Sequence, residues 1–244
     1  MGYVDFARFY DRLTENVDYK AMAGYYIDVL ARSGIKKGEL LDLACGSGAL
    51  SVFFQNAGFK VTGADASEEM LTVAASKSRK INLLRIDMTQ MGFENDFDAV
   101  ICAMDSLNHL ADLDSMRSAF DCIYRSLKKG GVFAADLNTP YKHLNVLADN
   151  AFIFDYDGLF CSWQNELDIN DPLHRVDMYL DFFRETGDGL YERFEDSLSE
   201  IAPEPSQVME MLKKSGFVNV EISGFLTGKD LNPHSEKYLI NALK

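Results

Sequence analysis

The feature that most constrains this chain is an apolar strand that breaks into a glycine turn at the head of a helix, Leu40-Leu41-Asp42-Leu43-Ala44-Cys45-Gly46-Ser47-Gly48. Around it, strand-length apolar runs at 39–44, 60–64, 81–86, 99–103 and 132–137 alternate with longer amphipathic stretches. Strand, helix, strand in repetition means a parallel sheet with helices on both faces. Strands of that kind are buried on both faces, so LLDLA, FDAVICA and GVFAADL read as continuous apolar runs rather than alternating ones. Ahead of them, Tyr19, Met22, Tyr26 and Leu30 recur at helical spacing until Ser33-Gly34.

The texture changes after Thr139-Pro140, which reads as an N-cap followed by a first helical position. Strand candidates at 163–169, 175–184 and 190–199 are separated by Asn170-Asp171-Pro172 and Gly187-Asp188-Gly189, the pattern of an antiparallel meander. A helical stretch at 206–215 stops at Gly216, and strands at 218–225 and 237–243 follow. The expectation is an α/β fold: a mostly parallel seven-stranded sheet with helices on both faces, plus a small antiparallel annex. Its parts divide as a helical lid segment at 1–38, a core at 39–148 and 200–244, and the annex at 149–199, covering the acceptor site.

Composition narrows the partners. In 244 residues, 24 Lys and Arg stand against 38 Asp and Glu, a net charge of −14 that repels a phosphate backbone and argues against direct nucleic-acid binding. No apolar run is long enough for a membrane helix, and the first twenty residues lack the basic and apolar regions of a signal peptide. The expected location is the cytoplasm. Cys45, Cys102, Cys122 and Cys161 form no CxxC pair and do not cluster with histidines, so buried reduced thiols are expected and no metal.

The glycine turn brings backbone close to a ligand, because Gly46 and Gly48 lack the Cβ atoms that would block one and the next helix offers free N–H donors. About 20 residues further on, the second strand ends at Asp65, where a carboxylate can accept both hydroxyl hydrogens of a ribose. The third ends at Asp87 and Met88, at the same sheet edge, where Asp87 suits an adenine amino group and apolar Met70 and Leu71 could flank the ring. A nicotinamide dinucleotide is the rival ligand. Its fingerprint, G-x-G-x-x-G, would need a third glycine where this chain has Ser51.

LLDLACGSG, VTGADAS, RIDMTQM, FDAVICAMDSLNHL and LKKGGVFAADL, in that order from Leu40 to Leu137, resemble the class I S-adenosylmethionine-dependent methyltransferases. The resemblance implies a Rossmann-like methyltransferase fold and S-adenosyl-L-methionine as cofactor. By motif position, Asp42, Ala44, Gly46 and Gly48 would surround the methionine moiety, Asp65 with Ala66 the ribose, and Asp87 with Met88 the adenine. Ala103 and Met104 would close over it. Tyr10-Asp11-Arg12-Leu13, then Asp18-Tyr19, and the late meander are similar to small-molecule N-methyltransferases of the amino-sugar and, more distantly, glycine type. That implies Tyr10 near the sulfonium, Tyr19 over the cofactor, and a small-molecule amine as acceptor; the stretch SEIAPEP at 199–205 departs from the pattern.

Methyl transfer needs an aligned lone pair and a dry site more than acid–base chemistry. An amine must still arrive neutral or become so, for which Asp105 and His109, after the fourth strand, are the candidates. Trp163, Tyr179, Phe182 and Phe183 are candidates to line the acceptor pocket, and His143, His174 and His234 read as surface or structural. Other readings are an NAD-dependent oxidoreductase, a cofactor-binding protein without catalysis, and a protein or RNA methyltransferase.

Overall fold

The computed structural model describes residues 4–244; the first three residues of the 1–38 segment lie outside the described residues. The sheet core begins with β1 (Glu39–Leu43), β2 (Lys60–Asp65), β3 (Asn82–Arg85), β4 (Phe97–Cys102) and β5 (Leu127–Asn138), and ends with β10 (Val218–Gly224) and β11 (Lys237–Leu243). Their order is β10-β11-β5-β4-β1-β2-β3, with β1 to β5 parallel and β11 antiparallel to both of its neighbours, β5 and β10. The chain builds outward from β1 in one direction and then from β4 in the other. Ligands of open parallel sheets bind in the crevice at such a switch point, beyond the carboxyl ends of the strands.

Each face of the sheet has its own core. On one side α2 (Tyr19–Arg32) and α3 (Ala49–Asn56) bury Met22, Tyr26, Leu30, Leu50 and Phe54 against Leu40, Ala99 and Ile101. On the other, α5 (Leu113–Ser126) and α6 (Pro205–Ser215) bury Met116, Phe120, Ile123 and Leu212 against Leu41, Val100 and Phe133. Helices therefore cover both faces, as the apolar runs require. Asp18 caps α2 by accepting the Ala21 amide at 2.9 Å, and Ser67 caps α4 (Glu68–Lys77) by accepting that of Met70 at 3.1 Å. No helix among the described residues is long and apolar enough to cross a membrane.

The second sheet has four strands, not the expected three: β6 (Ala151–Tyr156), β7 (Leu159–Leu167), β8 (Val176–Gly187) and β9 (Leu190–Glu200), in sequential antiparallel order. The extra strand, β6, is joined to β7 through Asp157-Gly158, with Gly158 at φ 73° and Tyr156 facing Leu159 across the turn. Asp-Gly between alternating apolar residues is a hairpin signal. Helix α1 (Val4–Leu13) packs on this sheet, stacking Phe9 on Phe182 with ring centroids 5.0 Å apart. Helix α2, from the same 1–38 segment, packs instead on the large sheet.

Candidate functional site

A cavity of about 530 Å³ opens at the switch point and is roofed by α1 and the small sheet. The candidate catalytic and cofactor residues singled out above line it, Gly48 and Leu71 excepted. Gly48 stands behind the wall as the N-cap of α3 at φ 74°, where an added Cβ would come within 2.9 Å of the Ala74 Cβ. Its lack of a side chain serves helix packing. Ser51, at the third position of the dinucleotide fingerprint, is fully buried and donates its hydroxyl to Asp42.

One end of the cavity is built from the turns after β1 and β2. Asp65 ties them together: one carboxylate oxygen accepts the Gly46 amide at 2.8 Å and the other that of Ser67 at 2.9 Å. Burial pushes the Asp65 carboxyl up, against the pull of those amides. Asp42 is pushed up to about 7 by burial, with Ser51 opposing and Asp65 adding to the rise. Asp87 accepts the Thr89 amide at 2.8 Å and hydroxyl at 2.7 Å, which fixes the turn that carries Met88. Cys45 also lines the turn, but burial drives its thiol pKa upward, so it is inert packing.

Two tyrosines close this end. Burial, then Tyr19 and Asp105, hold the Tyr10 phenol far above its ordinary value, so it stays a hydrogen-bond donor. The Tyr19 hydroxyl is buried beside Thr14 and Tyr10 yet meets neither with hydrogen-bond geometry, leaving a polar atom at the cavity wall for a ligand. Outside it, Asp11 takes the Ser47 hydroxyl at 2.6 Å and the Lys77 ammonium at 2.7 Å, which joins α1 to the glycine turn and to α4.

The other end is assembled from distant segments. Met104 and Asp105, after β4, both have left-handed backbones, at φ 61° and 51°. Asp136 of β5 holds them there by accepting both amides, at 2.7 and 3.2 Å, together with the Tyr26 hydroxyl at 2.6 Å. Lys237 bridges Asp105 at 2.9 Å and Asp136 at 3.0 Å, and Lys142 lies 3.9 Å from Asp105. Burial would raise the Asp105 carboxyl, but Lys237 and Lys142 outweigh it and hold it well below the carboxylate range. A carboxylate so held is a poor base and a good anchor for charge. His109 turns Nδ1 to the Ser199 carbonyl at 3.1 Å and Nε2 toward Glu200 at 3.5 Å.

The sequence reading missed Glu200, Lys142 and Asn138 in the wall, and Asp136 and Lys237 behind it. Asp136 carried a signal, an acid inside an apolar strand run; Glu200 sits in the stretch that departs from the family pattern. Of the four aromatics proposed for the acceptor pocket, only Trp163 lines the cavity. Phe182 lies fully buried under α1, Tyr179 is exposed, and Phe183 lies under Arg193 with the guanidinium 6.0 Å from its ring. His143 is fully buried and hydrogen-bonds Glu200, so it belongs to the site's support.

A family model described as a methyltransferase domain matches residues 40–131, the span that builds the glycine-turn end. The chain is 32% identical to the "Putative methyltransferase YqeM" of Bacillus subtilis (strain 168) over 100% of this chain and 98% of that protein. It is also similar to the crystal structure of a S-adenosylmethionine-dependent methyltransferase from Clostridium acetobutylicum ATCC 824, with TM-score 0.87 and 30% identity over 99% of this chain and 98% of that one. A glycine/sarcosine N-methyltransferase of Parasynechococcus marenigrum (strain WH8102) is 34% identical over 54% of this chain and 49% of its own length.

Proposed function

This chain belongs to the class I S-adenosylmethionine-dependent methyltransferase family, and from that premise we propose that it methylates a small molecule at an amine nitrogen. The observation that carries the reading is one continuous cavity of about 530 Å³, with the glycine turn at one end and a buried charged cluster at the other. A space of that size, roofed by α1 and the small sheet, suits a cofactor and a small acceptor together and disfavours a protein or RNA chain. The partial likeness to a glycine/sarcosine N-methyltransferase supports nitrogen as the acceptor atom. Four unpaired thiols, three of them buried, support a reducing compartment, the cytoplasm, as the place of action.

The residues fit the cofactor. Asp65, already fixed by two amides, keeps lone pairs for ribose hydroxyls, and the unpartnered Tyr19 hydroxyl offers a hydrogen bond to a polar group. Met70 and Met88 give apolar flanks to a base, and Asp87 an acceptor for its amino group. When bound, S-adenosylmethionine supplies a methyl group made electrophilic by its sulfonium. The chain's part is to orient the acceptor, exclude water and keep charge in place. Tyr10 closes the glycine-turn end as a donor, and Asp105 and His109 line the wall at the acceptor end: Asp105 as a carboxylate held charged by its lysines, His109 as a group able to hold a proton.

Calorimetric titration with S-adenosylmethionine and S-adenosylhomocysteine tests the site. Saturable binding is expected, weakened about 100-fold by Asp65→Ala, since hydrogen bonds to a charged group are each worth roughly 1.5–3 kcal/mol. An unchanged affinity removes Asp65 from the ribose. Release of S-adenosylhomocysteine with amines, but not with the matching alcohols and carboxylic acids, tests the acceptor.

A further inference from the structure

Glu200 ends β9 at 5% exposure, and it stands in the wall of the cavity. The two lysines of this end make their direct contacts with other groups: Lys237 bridges Asp105 and Asp136, and Lys142, which feels the Glu200 charge through Asn138, donates to Asn138 at 2.9 Å and lies 3.9 Å from Asp105. Among the described residues, no lysine or arginine pairs with Glu200. It has Asn138, whose amide nitrogen donates to Oε2 at 2.8 Å, and two histidines. A buried carboxylate in that company needs a proton nearby.

The histidines' other contacts say where protons are. His143 Nδ1 lies 2.7 Å from the His174 carbonyl and His109 Nδ1 lies 3.1 Å from that of Ser199. A carbonyl only accepts, so both Nδ1 atoms carry hydrogen. Both Nε2 atoms then face the same carboxylate, His143 at 3.2 Å from Oε2 and His109 at 3.5 Å from Oε1. The His143 contact is favourable only with a proton between the two atoms. Oε1 accepts no hydrogen bond among the described residues, so Oε1 and His109 Nε2 together form a vacant place for one more proton. His143 is sealed at 0% side-chain exposure and Glu200, though in the wall, shows 6%, whereas His109, at 26%, is the member most open to the cavity.

We propose that Glu200, clamped by His143 and Asn138, makes His109 the proton acceptor for an incoming ammonium, and that the acceptor therefore enters as a cation and reacts as the neutral amine. This rests on the amine reading above. In the step, an N–H bond of the ammonium breaks, its proton goes to His109 Nε2 against Glu200 Oε1, and the electron pair stays on nitrogen. That pair forms the new N–C bond as the C–S bond breaks with its electrons to sulfur, moving one positive charge from sulfur to nitrogen. His109 returns its proton to solvent after the product leaves. The other charged or titratable groups at this end are Asp105, Asp136, Lys142, Lys237 and Tyr10, of which the two aspartates and the two lysines offset one another. Burial would raise Glu200, but the His143 hydrogen bond and His109 outweigh it and keep it a carboxylate. His109 is the catalytic residue here; Glu200 and His143 act through it as positioning residues.

The test is nuclear magnetic resonance of the full chain labelled with nitrogen-15 in histidine, following the His109 ring through a pH titration. Glu200→Gln is expected to lower its midpoint by about tenfold in proton affinity, through loss of an adjacent negative charge. His143→Gln is expected to raise it, because Glu200 then shares its charge with one histidine fewer. Two variants with opposite signs separate the proposal from mere loss of structure, and the second stands in if Glu200→Gln does not fold. Methylammonium chloride, against potassium chloride at equal ionic strength, should lower the His109 midpoint in the native chain and leave it in Glu200→Gln. Midpoints that stay put in the variants, or a native midpoint that ignores methylammonium, overturn the proposal. Failure of the amine reading looks different: S-adenosylhomocysteine is then released with non-amine acceptors, whatever His109 does.

Discussion

The two ends of the cavity treat buried carboxylates in opposite ways. At the glycine-turn end Asp42 and Asp65 meet only amides and a hydroxyl, form no ion pair among the described residues, and are pushed up, Asp42 to about 7. At the acceptor end Asp105 and Glu200 are also shielded from water yet are pulled down, Asp105 by two lysines and Glu200 by two histidines. One end is short of positive charge until a ligand brings it, which suits a sulfonium carrying an ammonium. The other is balanced within the protein and leaves a place for a proton. Burial is common to both, so the sign of each change is set by partners.

Removing the balance at the acceptor end should give the largest effect. Lys237→Met leaves Asp105 and Asp136 facing each other without their bridging cation, and an uncompensated buried charge costs about 3–5 kcal/mol. Urea denaturation near neutral pH should show that loss, and it should shrink as acid neutralises the unbridged pair. A loss under about 1 kcal/mol would mean that the balance is not what holds this end together.

Asp42→Asn should move stability the other way. The folded carboxyl titrates at about 7 against an ordinary value below 4, so across that interval the folded chain keeps a proton that the unfolded chain has released. Native stability therefore falls as pH rises from about 4 to 7 and is level above it. Asn removes that slope and should be more stable at pH above about 7 by a few kcal/mol, because each tenfold difference in proton affinity between the folded and unfolded chains is worth about 1.4 kcal/mol. The same variant should bind S-adenosylhomocysteine more weakly. Melting curves across the range, with calorimetry, check both signs; a variant with the native slope would dismiss Asp42 as its source.

The smallest effect belongs to the outer clasp. Asp11→Ala cuts the ties to Ser47 and Lys77; Asp11 itself is half-exposed, so they are worth under about 1 kcal/mol to stability. Because the clasp spans α1 and the glycine turn, S-adenosylhomocysteine should leave several-fold faster at nearly unchanged stability. Trp163, the sole tryptophan, lines the cavity and gives the stopped-flow signal. An unchanged release rate would make α1 a fixed wall.

Legibility follows the same division. Residues 40–48, Asp65 and Asp87 were readable because a left-handed turn demands glycine on the spot and strand ends recur at fixed spacing. Even there Gly48 proved to serve the packing of Ala74, since proximity to the cavity depends on how α3 and α4 meet. In the small sheet, alternation left open which face was inward, so Tyr179 and Phe183 could not be told from Trp163 until the register was known. Glu200 and His109 come together only when β9 is laid beside the turn after β4.

By itself the sequence determined the parallel sheet, the helices on its two faces, the glycine turn and the acids at the strand ends. These follow from hydrophobic period and backbone conformation, which neighbours along the chain decide. Only the tertiary structure decided that Lys237 answers Asp105 and Asp136, and that His109, His143 and Glu200 share protons. Ion pairing and proton sharing act over a few ångströms between residues far apart in the chain, His143 and Glu200 by 57 positions and Lys237 and Asp136 by 101, and no local pattern encodes that proximity.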